Sequence, residues 1–125
     1  MTEAQFGLSA NVISQLRSVL AQHPNIVCSV VYGSRAKGNY KPGSDIDLTL
    51  FPIEGKDISF RELCNILDEI DDLLLPYIVD LSVFSQIDNS ELRAHIERVG
   101  KVFYAQADVN FPPASASGKT LRRNP

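Results

Sequence analysis

The chain has 125 residues, 44% of them hydrophobic and 22% charged, which suits one ordinary globular domain around a single core. Its net charge of −3 excludes a general polycation for gripping nucleic acid, so no direct nucleic-acid contact is expected. The apolar stretches fall short of the roughly 18 residues of a membrane span, and MTEAQFGLSANVISQL lacks the basic-then-apolar form of a secretory signal. Cys28 and Cys64 sit inside apolar patterns with no metal-type spacing and read as buried free thiols, so a cytoplasmic location is expected.

Val12, Ile13, Leu16, Val19 and Leu20 recur at helical spacing, with Ser9 or Asn11 as cap and His23-Pro24 as stop. Ile26 to Tyr32 is a near-continuous valine-rich run, the pattern of a strand buried on both faces, and Gly33 ends it. Ser34 to Ser44 is polar and basic, mostly loop, opening with one helical turn. A second strand runs from about Ile46 to Phe51, broken by Pro52 and Gly55. Ser59 and Glu62 form a capping box, followed by a helix face of Leu63, Leu67, Ile70 and Leu74 that Pro76 closes. Tyr77 to Phe84 reads as a third strand. Asp88-Asn89-Ser90-Glu91 starts a third helix carrying Leu92, Ile96 and Val99, with Gly100 at its end. Lys101 to Ala105 reads as a short edge strand. This order predicts an α/β (α+β) domain over 1–105, a small mixed sheet with helices packed against it. From 106 to 125 the composition turns to Pro, Ser, Ala and Gly with a few basic residues, and a disordered tail is expected. Gly118-Lys119-Thr120 in that tail resembles the end of a P-loop, but position 113 is Pro113 and no strand precedes it.

The chemistry concentrates in GSRAKGNYKPGSDID, Gly33 to Asp47. Asp45 and Asp47 lie one residue apart at the head of a strand, so they face the same way with backbones roughly 7 Å apart. Carboxylates that close resist joint ionisation unless a cation lies between them, and oxygen-only ligands suit magnesium with substrate phosphates. Gly33 lets the backbone approach a phosphate closely, and the Ser34 hydroxyl adds a donor. Arg35 and Lys37 put positive charge at the same place, useful for a triphosphate or leaving pyrophosphate, or else are solvated loop charges. In the third strand Val79, Leu81 and Val83 form an apolar face, with Asp80 and Ser82 on the other. An aspartate in such a run is costly unless paired or metal-bound, so Asp80 is a candidate third carboxylate beside Asp45 and Asp47.

Gly-Ser, ten residues, then Asp-Ile-Asp with a later strand aspartate closely resembles the polymerase-beta-like nucleotidyltransferase superfamily. The short motif is most similar to its minimal nucleotidyltransferases, the antitoxins encoded beside HEPN-domain toxins, and the resemblance spans roughly 10 to 105. It implies a mixed sheet, two magnesium ions, ATP as donor, and transfer of AMP to a hydroxyl. In the antitoxin branch that hydroxyl is a tyrosine of the partner HEPN toxin, whose RNase activity the modification silences. By position, Gly33 and Ser34 would hold the triphosphate, Asp45 and Asp47 the metal, and Asp80 would complete the metal site and activate the acceptor. Two alternatives stay open: transfer to a small-molecule hydroxyl, and a non-catalytic module that covers a toxin. A chain of this length leaves the acceptor to another protein or a second copy, so a homo- or hetero-oligomer is possible.

Elsewhere the plain structural readings prevail. Asp68, Glu69, Asp71 and Asp72 read as the solvated face of the second helix, Lys41 as solvent-facing, His23 and His95 as surface residues and Tyr104 as packing. Lys119, Arg122 and Arg123 belong to the expected tail.

Overall fold

A computed structural model describes residues 3–106. The elements are α1 (Ala10–Ala21), β1 (Ile26–Tyr32), α2 (Ser34–Lys37), β2 (Ile46–Pro52), α3 (Phe60–Asp71), β3 (Val79–Val83), a 3-10 turn (Phe84–Gln86), α4 (Ser90–Val99) and β4 (Lys101–Ala105). The four strands form one mixed sheet in the order β3-β2-β1-β4. β1 runs antiparallel to both β2 and β4, while β2 and β3 are parallel. The tail beyond Gln106, with Gly118-Lys119-Thr120, Arg122 and Arg123, lies outside the described residues. Gln106 itself belongs to the fold: its amide donates to Val27 O, and its side chain to Pro24 O and Ile26 O.

Residue alternation sorts the core into two layers. Val31, Ile46, Leu48, Leu50, Leu81 and Val83 meet Ile13, Leu16 and Leu20 of α1 and Ile66 and Ile70 of α3. Fully burying one such leucine contributes about 1.5–3 kcal/mol. On the other face Cys28, Val30, Tyr32, Phe51 and Phe84 pack with Ile96 of α4, and Phe51 stacks on Phe84 at 4.8 Å. β1 is buried on both faces, as its valine-rich run predicts. Cys28 is fully buried, and burial pushes its thiol up to about 12; Cys64, expected to be buried, is only half-buried. No helix among the described residues is long and apolar enough to cross a membrane.

Caps explain most helix limits. Ser9 accepts from Val12 N, Ser59 from Glu62 N, and Asn89 from Glu91 N and Leu92 N. The capping box at α3 is only half made. Glu62 turns away from the helix start, taking a hydrogen bond from Asn25 at 3.2 Å and facing His23 at 3.5 Å. His23 reaches Glu69 at 2.8 Å. His23 is therefore a half-buried tie between the end of α1 and α3 rather than a surface residue, and Glu69 is its partner rather than a free solvated charge.

Leu74 departs further from expectation. The helix stops at Asp71, and Leu74 stands outside it, 87% exposed with a left-handed φ of 56°. The third strand is shorter than its hydrophobic run, because Tyr77 and Ile78 precede the ladder and Phe84 opens the 3-10 turn.

Candidate active site

Three strands bring the site together at one end of the sheet. Register sets Tyr32 of β1 opposite Asp47 of β2, and Asp47 opposite Asp80 of β3. Parity gives all three side chains the α4 side of the sheet. Asp80 is exposed and Asp47 half-buried. Asp45 is exposed and sits just ahead of β2, which begins at Ile46, on the same side as Asp47.

The electrostatics follow from this crowding. Burial, then the neighbouring Asp80 and Asp45 charges, raise the Asp47 carboxyl above its ordinary value. Gly33 presses on the same carboxylate. With φ at +72°, a Cβ added there would lie 2.5 Å from Asp47 Oδ2, so only glycine permits this approach. Four-residue α2 follows at once, starting with Ser34.

The donor set can be tested against magnesium, the ion expected from the resemblance. Among the described residues no three His, Cys, Asp or Glu side chains converge into a ready-made metal cage. Magnesium, however, takes one or two protein carboxylates and fills its other positions with water and substrate phosphates. The Asp47–Asp80 pair, with Asp45 beside it, supplies that set, and a cation there would relieve the repulsion acting on Asp47. The residues fit the ion.

Arg35 requires a correction. Its position next to Ser34 suggests a phosphate contact, yet it is only 3% exposed. Nε and Nη2 both donate to Ser44 O, at 3.1 and 2.8 Å, and Nη1 donates to Phe6 O at 2.9 Å. Tyr40 and Tyr77 lie against its guanidinium. Lys37 remains exposed, close enough to His95 to help depress its pKa, behind burial and Arg98. His95 is not a free surface residue: it packs edge-on against Tyr32 at 6.2 Å.

The pattern of the sequence also conceals a floor beneath the carboxylates. Tyr32, hidden in the apolar run, is 8% exposed. Its hydroxyl pKa is raised by burial and by Asp80 and Asp47, against the lowering influence of a hydrogen bond with Ser82. Ser82 in turn donates to Thr49 Oγ1 at 2.9 Å. The one signal available was parity: Tyr32 is the last strand residue before Gly33, and Ser82 shares a strand side with Asp80.

The sequence model of the polymerase beta nucleotidyltransferase family matches residues 14–108. Among curated protein sequences none matches the chain. Solved structures share the fold at low identity. A toxin–antitoxin structure with AMP-PNP superposes at a TM-score of 0.61 with 17% identity, over 76% of this chain and 74% of that one. A complex of tri-AMPylated Shewanella oneidensis HEPN toxin with MNT antitoxin gives 0.57 and 14%, over 76% and 71%. The MntA–HepT toxin–antitoxin gives the same TM-score, identity and coverage. Since the matched span takes in the glycine turn and all three aspartates, the chain belongs to the polymerase beta nucleotidyltransferase family and is a nucleotidyltransferase.

Proposed function

We propose that this protein transfers AMP from ATP to a tyrosine hydroxyl of a partner HEPN toxin, and so acts as its antitoxin in the cytoplasm. The observation that carries transfer is the pairing of Asp47 with Asp80 across β2 and β3, with Gly33 closed onto Asp47. Gly33 and Ser34 receive the triphosphate, with exposed Lys37 in the same short helix as Ser34. Asp45 and Asp47 hold magnesium, and Asp80 completes that set on the acceptor side. Bound there, the metal neutralises the triphosphate and eases ionisation of the acceptor. A tyrosine hydroxyl has a pKa near 10, so at neutral pH its proton must be removed as it attacks; in this reading Asp80 takes it. The phenolic oxygen bonds to the α-phosphorus, the bond from that phosphorus to the bridging oxygen breaks, and pyrophosphate leaves.

Two observations favour a protein acceptor over a small hydroxyl compound. Asp80 lies on β3, an edge strand of the sheet, whose outer side pairs with no strand among the described residues. Ile78, two residues before it on the same strand side, is 68% exposed. An exposed apolar side chain beside a reactive carboxylate suits a surface that docks. The AMPylated toxin in the related complex points the same way.

The test is intact-mass spectrometry of a candidate HEPN-domain partner incubated with the enzyme, ATP and magnesium. A gain of about 329 Da, or a multiple, is the mass of AMP added with loss of pyrophosphate. An unchanged partner mass with its RNase activity still blocked would identify a covering module instead.

A further inference from the structure

We propose that Arg35 is a positioning residue that sets Asp45 in the metal–nucleotide site by holding the carbonyl immediately before it. This rests on the carboxylate site described above and is independent of which acceptor is used. Arg35 is a buried cation with no carboxylate partner among the described residues. Its donors go to main-chain oxygens: the fork of Nε and Nη2 closes on Ser44 O, and Nη1 takes Phe6 O. Tyr40 and Tyr77 cover it, with ring centroids 5.3 and 5.0 Å from the guanidinium carbon.

Those contacts join the N-terminal turn to the loop that follows α2. Ser44 ends the loop leading out of α2 and into Asp45. That loop closes on itself through Ser44 N to Lys41 O at 3.0 Å and Lys41 N to Ser44 Oγ at 2.9 Å. The Arg35 fork then ties the closed turn back to the first helical residues after Gly33. Because Asp45 stands outside the β2 ladder, strand pairing does not fix it directly. A carbonyl gripped by two guanidinium donors one residue earlier does.

The N-terminal turn meets the same point from the other side. Phe6, whose carbonyl Arg35 holds, has a φ of 59°, unusual for a non-glycine residue. Gly7 follows at +72°, and a Cβ there would run into the Tyr40 ring and Arg35 Nη1. Both are the central residues of the two-residue turn that pairs Gln5 with Leu8, a turn that takes φ > 0 at both positions. That turn presents the Phe6 carbonyl to Arg35, and Gly7 leaves room for the Tyr40 ring.

The test is a double-mutant cycle of Arg35→Lys and Asp45→Ala, read as calorimetric affinity for α,β-methylene ATP with magnesium and with chelator. Lysine keeps the charge but loses the fork. Residues that orient metal ligands from behind typically cost about 10–100-fold when changed, so Arg35→Lys should weaken magnesium-dependent binding by about tenfold. In the Asp45→Ala background it should add almost nothing, since the residue it positions is gone. Equal losses in both backgrounds, or a lower melting temperature with unchanged affinity, would overturn the proposal. Should Arg35→Lys fail to fold, Gly7→Ala pushes on the same stack from outside and should show the same dependence on Asp45. Wild-type binding unaffected by chelator would overturn both this proposal and the metal site it rests on.

Discussion

On the side of the sheet that α1 and α3 cover, β2 presents Ile46, Leu48 and Leu50, all fully buried. On the other side the same strand runs from half-exposed Asp47 through buried Thr49 to buried Phe51, stacked on Phe84. The first face is uniform because two long helices lie along it. The second is graded along β2: Phe51 at one end packs with Phe84 and Ile96 of α4, and the aspartates occupy the other end. A strand has little freedom between these faces: a slip of one residue would bury both aspartates and expose three core side chains. The dry face therefore fixes the register that lines up Asp47 with Asp80.

Neighbouring substitutions in β2 should separate the two roles. Asp47→Ala is expected to reduce AMP transfer by more than about a hundredfold, as loss of a group that stabilises developing charge does, while the protein still folds. Leu48→Ala should do the reverse. It should cost about 2–5 kcal/mol of stability through lost burial and a cavity, with nucleotide affinity of the folded fraction unchanged. Denaturant unfolding and calorimetry on both variants check this, and a Leu48→Ala protein with normal stability would break the assignment of faces.

At the acceptor edge the expected effect is smaller. Ile78→Lys should weaken modification of the partner by about tenfold, the scale of one central interface side chain, and leave ATP affinity as it was. A parallel loss of ATP affinity would place Ile78 in the nucleotide site instead.

The pH dependence of the metal-free protein gives a further contrast. Asp47 has its folded-state pKa raised by burial, Asp80 and Asp45. Below the ordinary carboxylate pKa its contribution to stability is fully present; as pH rises through the raised folded pKa, that contribution is lost. Asp47→Asn should therefore melt above wild type at neutral pH without metal, and the gap should close as pH falls to about 4. Magnesium with nucleotide should stabilise wild type alone. A variant that melts lower at pH 7 would mean that Asp47 is held by structural partners.

The smallest effect belongs to the covered side. Ser59→Ala removes the cap that accepts from Glu62 N and should cost about 0.5–2 kcal/mol, with no change in transfer.

Much of this was legible in the sequence because strand alternation is rigid. Two aspartates flanking an isoleucine, and a third among valines, had to share a face once their strands paired. Gly33 was legible for a similar reason, since a glycine ending a buried strand marks a close approach. Arg35 was misread because its neighbours in sequence, Ser34 and Lys37, suggest phosphate, whereas its actual partners are Phe6 and Ser44 and depend on how the N-terminal turn folds back. Leu74 was misplaced because a leucine at helical spacing after Ile70 extends the apolar pattern past the point where the backbone leaves the helix. Tyr32 hid in a run of valines, where nothing separates a packing tyrosine from one lying under carboxylates.

The most direct test of the central claim, that Asp47 and Asp80 form one metal-linked nucleotide site across two strands, is calorimetric titration of ATP with magnesium and with chelator, on wild type and Asp47→Ala. We predict binding to wild type with magnesium and its loss with chelator or with the substitution. Equal affinity in all of these conditions would contradict it.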